Sequence, residues 1–335
     1  MIAQILYPLR YLMAFTLTAA VWFSLNQQGI LSYSALLYGF GMVPLLEVVL
    51  VPVARNMPPD TAERAAKNPW FDALLWLALP AQIWMLWMFI LVVPKDVGQG
   101  DFLSLLGHVT SYGVSAGSLG INVAHELGHR PQRAHQTVAK CLLLLSLYPQ
   151  FLFDHNRGHH KLVGTPEDPT SARRNETVYA FWIRSVFGVW RSAWHIDAPM
   201  MRRFLVWEVA LLLALAWVEP AALFPFVAAS AVGFLLLETV NYIEHYGLSR
   251  KQVTALRYED TAPTHSWNSN HPMGRFMLFE LTRHSDHHAA PHKVYPTLSH
   301  HEEAPQMPTG YPAMMLLSLV PPLWFKVMNK RIPNN

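Results

Sequence analysis

The sequence predicts an all-α, multi-pass membrane protein with about six transmembrane helices and a histidine-rich helical region on the cytoplasmic side. Three observations carry that prediction. Hydrophobic residues fill 52% of the 335 positions and charged residues only 14%, against about 25% charged in a soluble domain. The apolar residues gather into runs long enough to cross a bilayer as helices of about 20 residues. The 17 His are not scattered but fall in tight clusters that follow those runs.

The expected spans are residues 9–25, 30–54, 70–93, 102–124, 204–218 and 221–243. A further apolar stretch, 311–328, is interrupted by Pro321 and Pro322 and reads as an interfacial or re-entrant helix. Residues 138–153 are apolar but short, and suit the membrane surface. Residues 1–8 lack a basic n-region and no small-residue cleavage site follows, so the first run is taken as a span. Neither an internal repeat nor a phosphate-binding glycine loop is visible, and residues 1–335 read as one integral-membrane domain. In the fourth span Gly113 and Gly117 form a small-xxx-small pair, which serves close helix packing or makes room for a substrate.

Charge gives the orientation. Arg55, Arg64 and Lys67 follow the second span, and Arg130, Arg133, Lys140, Arg157, Arg173, Arg174, Arg202 and Arg203 lie between the fourth and fifth. The loops after spans one, three and five hold only Lys95. The positive-inside bias therefore puts both termini and the His-rich segments, 125–203 and 244–310, on the cytoplasmic side. The single cysteine, Cys141, excludes internal disulfides, Cys-based zinc sites and iron–sulfur clusters. A net charge of +3 is unremarkable, and no nucleic-acid partner is expected.

Four His clusters carry the chemistry. His125 and His129 are four residues apart, so on a helix both imidazoles share a face and can reach one metal. His155 and His159 repeat that spacing, with His160 adjacent. His245 ends the sixth span in Asn241-Tyr242-Ile243-Glu244-His245-Tyr246-Gly247. His284, His287 and His288 form the last cluster. Nine His exceed what one tetrahedral zinc uses and suit two metals of four or five ligands each. Imidazole donors fit Zn, Cu, Fe or Ni, so residue type does not choose the ion.

These segments, with Thr165-Pro166-Glu167-Asp168-Pro169, His265-Ser266-Trp267-Asn268-Ser269-Asn270-His271 and Pro308-Thr309-Gly310-Tyr311-Pro312, resemble the histidine boxes of membrane alkane 1-monooxygenases. That family belongs to the wider membrane desaturase/hydroxylase superfamily. A weaker similarity is to xylene monooxygenase hydroxylase subunits, in Glu303-Ala304-Pro305-Gln306-Met307-Pro308 and Pro321-Pro322-Leu323-Trp324-Phe325.

The resemblance implies two non-haem Fe ions held by His125, His129, His155, His159, His160, His245, His284, His287 and His288. It further implies O2-dependent hydroxylation of the terminal carbon of an n-alkane in a bacterial cytoplasmic membrane. Electrons would come from rubredoxin, reduced in turn by a flavin-dependent NADH–rubredoxin reductase. The sequence departs from the family pattern at Arg130, Asp154, Thr282 and the segment Ala290-Pro291-His292-Lys293; no ligand is lost.

Acidic residues near the boxes are expected to orient the imidazoles: Glu238, Asp168 and Asp286 foremost, then Asp154 and Glu244. Glu47, Glu208 and Glu238 are costly in hydrocarbon and so are functional candidates by default, although Glu208 can snorkel. His108 reads as an interfacial polar residue. His265 and His271 read as structural or as supports behind the ligands, and His135, His195, His292, His300 and His301 as surface residues. Trp22, Phe23, Phe40, Trp84, Met85, Trp87 and Met88 could line a hydrocarbon path. Rival functions are hydroxylation of an aromatic methyl group, fatty-acyl desaturation, metal transport, and intramembrane zinc proteolysis with Glu126 as base. Transport predicts ligands at the midplane, and proteolysis leaves seven His unused.

Overall fold

A segment in hydrocarbon must satisfy its own backbone, and a single apolar run can do so only as a helix. The computed structural model follows that rule over residues 7–255 and 257–333, which are the residues it describes. Residues 1–6, part of the stretch argued not to be a leader, lie outside them. In chain order the helices are α1 (Tyr7–Leu25), α2 (Gly29–Val49), α3 (Pro59–Ala66), α4 (Pro69–Gln99) and α5 (residues 102–128). Next come α6 (Arg133–Leu144), α7 (residues 150–162), α8 (Val178–Val218) and α9 (Pro220–His245). The chain ends with α10 (Pro272–Met277), α11 (His284–Ala289), α12 (Tyr311–Ser318) and α13 (Pro321–Met328). A two-stranded antiparallel ribbon, β1 (Gln252–Thr254) and β2 (Arg257–Tyr258), is the only sheet among the described residues.

Four helices, α1, α2, α4 and α9, are long and apolar enough to cross a bilayer, against six expected spans. The two others fall short for different reasons. Helix α5 is surrounded by protein from Gly107 to Gly128, so it can carry Ser, Gly and His where a lipid-facing helix could not. The second half of α8 carries Arg202, Arg203 and Glu208. Its first half runs through the His-rich segment, and the two are joined by a kink at Asp197 (φ −152°, ψ 70°). Asp197 restarts the helix by accepting the Met200 N–H at 3.1 Å, with Pro199 in the first turn.

Close approach fixes α5 against α9. A Cβ at Gly113 would lie 2.6 Å from the Ala229 carbonyl oxygen, and one at Gly117 2.7 Å from that of Gly233. The stretch 311–328 is two short helices broken at Val320 rather than a single helix. Tyr311, Met314 and Trp324 are fully buried, so this segment plugs the bundle. Likewise 138–153 divides into the end of α6 and the start of α7. Trp22, Phe23, Trp84 and Trp87 point outward, about half exposed, whereas Phe40 lines an apolar cavity between the helices.

His108 corrects its reading as interfacial. It is fully buried, with Nδ1 2.6 Å from Asp96 Oδ2 and Nε2 facing the Ser24 and Gln27 carbonyl oxygens at 3.1 and 2.8 Å. It ties α1, α4 and α5 together at the end of the bundle away from the His clusters.

Candidate metal centre

The nine box histidines converge into two groups. His125, His129, His155, His160 and His287 form one; His159, His245, His284 and His288 form the other. Within each group the imidazole nitrogens all lie within 4.8 Å of one another. The groups adjoin, with the His160 and His288 ring centroids 4.5 Å apart.

Helix type decides which His joins which group. On α5, His125 and His129 lie in an α-helical turn, and spacing of four aligns them as expected. On α11, His284 and His288 are likewise four apart and share the four-His group, while His287 turns to the other. On α7 the expectation fails. Residues His155–His159 form a π-helical turn, in which bonding runs from i to i+5. His155 therefore aligns with His160, their Nε2 atoms 3.0 Å apart, and His159 is delivered to the opposite group.

The donor set fits metal ions. Two nitrogens each about 2.1 Å from an ion and at right angles are about 3.0 Å apart. The Nε2–Nε2 distances are 2.9 Å for His125–His287, 3.1 Å for His129–His155 and for His160–His287, 3.2 Å for His159–His288 and 3.1 Å for His245–His284. Burial, reinforced by neighbouring imidazoles, holds His155, His160, His284, His287 and His288 well below the ordinary imidazole range. That direction favours the neutral imidazole, the form that ligates a metal. Among the described residues the buried Nδ1 atoms of His160, His284 and His288 have no partner, and it is the Nε2 atoms of these rings that face one another.

Among the described residues, carboxylates touch only the four-His group. Asp168 Oδ2 lies 2.8 Å from His159 Nδ1, which turns Nε2 toward the group. That carboxylate also accepts the Ser171 hydroxyl at 2.6 Å, the Thr170 hydroxyl at 2.9 Å and the Thr170 N–H at 3.1 Å. Burial opposes its ionisation, yet His159 and these donors draw its pKa down to about 2. For His159 burial is likewise outweighed by Asp168, and its pKa is raised. Glu244 accepts the Tyr311 hydroxyl at 2.8 Å and brings Oε2 to 3.2 Å from His284 Nε2.

Other expected orienting residues have different partners. Glu238, fully buried, accepts the Tyr148 hydroxyl at 2.7 Å and contacts Asn241, not an imidazole of the nest. Asp286 binds Lys293 at 2.9 Å, His301 at 2.8 Å and the Ser299 N–H at 2.8 Å, so it anchors the loop after α11. His301 is thus a partner of Asp286 rather than a free surface residue, and His135 is buried beside Asp72. His195 and His292 are exposed as expected. Glu126 pairs with Arg130 at 2.8 Å and accepts the Tyr295 N–H; it is a structural residue here, not a free base.

Sequence reasoning missed Thr170, Ser171 and Tyr311 as partners of the acids, although Asp168 and Tyr311 stood in the quoted motifs. It also missed a buried cluster in which Glu280 receives Arg275 at 2.6 Å, Arg10 at 3.2 Å and the Tyr11 hydroxyl at 2.8 Å.

A helical membrane protein with two adjoining His-only clusters belongs to a narrow class, and the comparisons define it. Residues 102–318 match the fatty acid desaturase family model. The chain is 34% identical to an alkane 1-monooxygenase of Acinetobacter baylyi, over 87% of this chain and 74% of that protein. It is 36% identical to alkane 1-monooxygenase 2 of Pseudomonas aeruginosa, over 88% and 82% respectively. A xylene/toluene monooxygenase hydroxylase component of Pseudomonas putida is more distant, 28% identical over 87% and 80%. The chain belongs to the alkane 1-monooxygenase family within the fatty acid desaturases.

Proposed function

We propose that this protein is a di-iron monooxygenase that hydroxylates the terminal carbon of n-alkanes, with its site at the cytoplasmic face of a bacterial membrane and six spans around it. The observation that carries this reading is the division of nine imidazoles into adjoining groups of five and four beside an apolar cavity. That cavity is lined by Phe40, Val114, Leu237, Val240 and Met277 among others, and extends to Asn122 and Tyr311. Family membership selects alkanes and O2 from the chemistry such a site allows.

Two bound ferrous ions would supply the activation of O2, in the balance RH + O2 + 2e⁻ + 2H⁺ → ROH + H2O. The protein's own residues do the rest. The nine His are the proposed ligands. Asp168 sets the ring of His159, and Glu244, held by Tyr311, places a carboxyl oxygen beside His284 Nε2. The cavity walls hold a hydrocarbon by dispersion and exclusion of water. Rubredoxin is the proposed electron donor, reduced by a flavin-dependent NADH reductase, and an acidic carrier would be drawn to the Arg- and Lys-rich cytoplasmic loops.

Detergent-purified protein tests the reading through its metal content and its rubredoxin- and O2-dependent conversion of octane. Two irons per chain and 1-octanol are expected. Bound zinc with no oxidation, even after anaerobic loading with Fe(II), would overturn it.

A further inference from the structure

Two apolar cavities lie side by side between the spans. The inner one is enclosed by α1, α2, α5, α9, α10 and α12; it reaches Asn122, one turn before His125, and Tyr311, the partner of Glu244. The outer one is a cleft between α2, α5, α9 and α12 whose edge residues Leu316 and Leu319 are about two-fifths exposed. In a bilayer such an edge meets lipid. Four residues belong to the walls of both: Phe40, Val114, Leu236 and Met315. They form the partition.

Phe40 differs from the other three in its backbone. Residues Leu37–Met42 form a π-helical turn, and Phe40 stands between Gly39 and Gly41. Neither glycine is required by crowding. A Cβ at Gly41 would meet nothing within 4 Å, and one at Gly39 only the Leu17 side chain at an ordinary 3.7 Å. Neither has a positive φ. Glycine inside a helix destabilises it by about 1 kcal/mol relative to alanine, so this pair loosens the backbone on both sides of Phe40. Across the inner cavity a second π-helical turn, Ala116–Ile121, presents Gly117 and Ser118. Turns of this kind recur at functional sites.

We infer that Phe40 is a gate between the two cavities, through which hydrocarbon passes from the bilayer to the inner cavity, and that it selects the cross-section of the chain admitted. A linear chain presents one methylene at a time; a branched or cyclic hydrocarbon presents more and is held back. This inference rests on the hydrocarbon-oxygenase reading for the nature of its substrate, but the passage itself can be tested without turnover.

For that test Ser118, which lines only the inner cavity, is replaced by Cys in a Cys141→Ala background, in nanodiscs. Alkylation by a bilayer-partitioned N-alkylmaleimide is followed as wild type at position 40, as Phe40→Ala and as Phe40→Trp. Phe40→Ala should speed labelling at least about tenfold and Phe40→Trp should slow it, since even one methylene in an apolar pocket is worth about tenfold. A Thr239→Cys probe, in the outer cleft only, should react at one rate in all three. Equal labelling of the Ser118→Cys probe in all three backgrounds overturns the gate. With turnover, Phe40→Ala should raise the kcat/KM of a methyl-branched octane relative to n-octane about tenfold. An unchanged ratio overturns the selection even if labelling responds. A chain that labels as expected but oxidises no hydrocarbon sinks the oxygenase reading and leaves the passage standing.

Discussion

Helices α5 and α7 carry the same motif, two His four residues apart, and use it in opposite ways. On α5 the turn is α-helical and both His enter the five-His group. On α7 the turn is π-helical; His155 pairs with His160, and His159 crosses to the four-His group, where Asp168 holds it. Spacing states which residues can share a helix face only once the helix type is known. A one-residue difference in hydrogen bonding shares three consecutive box residues between two proposed ions.

The contrast can be broken at several points. The largest effect is expected from His159→Ala. It removes one of only four donors on its side, so metal content should fall from two ions per chain to one by mass spectrometry, with hydroxylation abolished. His160→Ala leaves four donors in its group and should retain both ions; equal loss in the two variants would contradict the division into groups. Asp168→Asn keeps the shape and removes the charge behind His159. Affinity of the four-His group should fall about 10–100-fold, seen as selective loss of one ion during titration with a chelator.

Gly158→Ala probes the turn itself. A Cβ there would lie 2.7 Å from Asp154 Oδ1 and 3.2 Å from Ser192 Oγ, and overpacking of this kind costs about 1–3 kcal/mol. A lowered unfolding temperature together with weaker binding at both groups is the expected result. The smallest effect is assigned to Tyr311→Phe, which deletes the donor to Glu244. Loss of one such hydrogen bond costs about 1–2 kcal/mol, so metal affinity should drop several-fold, and at the four-His group alone.

Much of this was legible in the sequence. Hydropathy marked α1, α2, α4 and α9, and clustering singled out all nine converging His. What stayed hidden depended on contacts between distant residues. Glu238 looked like an orienting acid because it lies seven residues before His245, but Tyr148, 90 positions away, takes its carboxylate. His108 looked interfacial because hydropathy shows a polar residue and not its partner, Asp96. Helix α5 reads as a span, but hydropathy did not show that its neighbours screen it, which relieves it of any need for an apolar surface. The π turn of α7 left no mark in the spacing, because Asp-His-Asn-Arg-Gly-His-His suits either winding.

His108 and the nine-His nest also have a mechanical consequence. The nest pins α5, α7, α9 and α11 together at one end of the bundle, and the contacts of His108 with Asp96, Ser24 and Gln27 pin α1, α4 and α5 at the other. Between these two ends lies the midsection of the bundle. There α2 and α5 each carry a π-helical turn beside the apolar cavities. The gate proposed at Phe40 lies between the two ends, so its opening would leave the imidazoles in register.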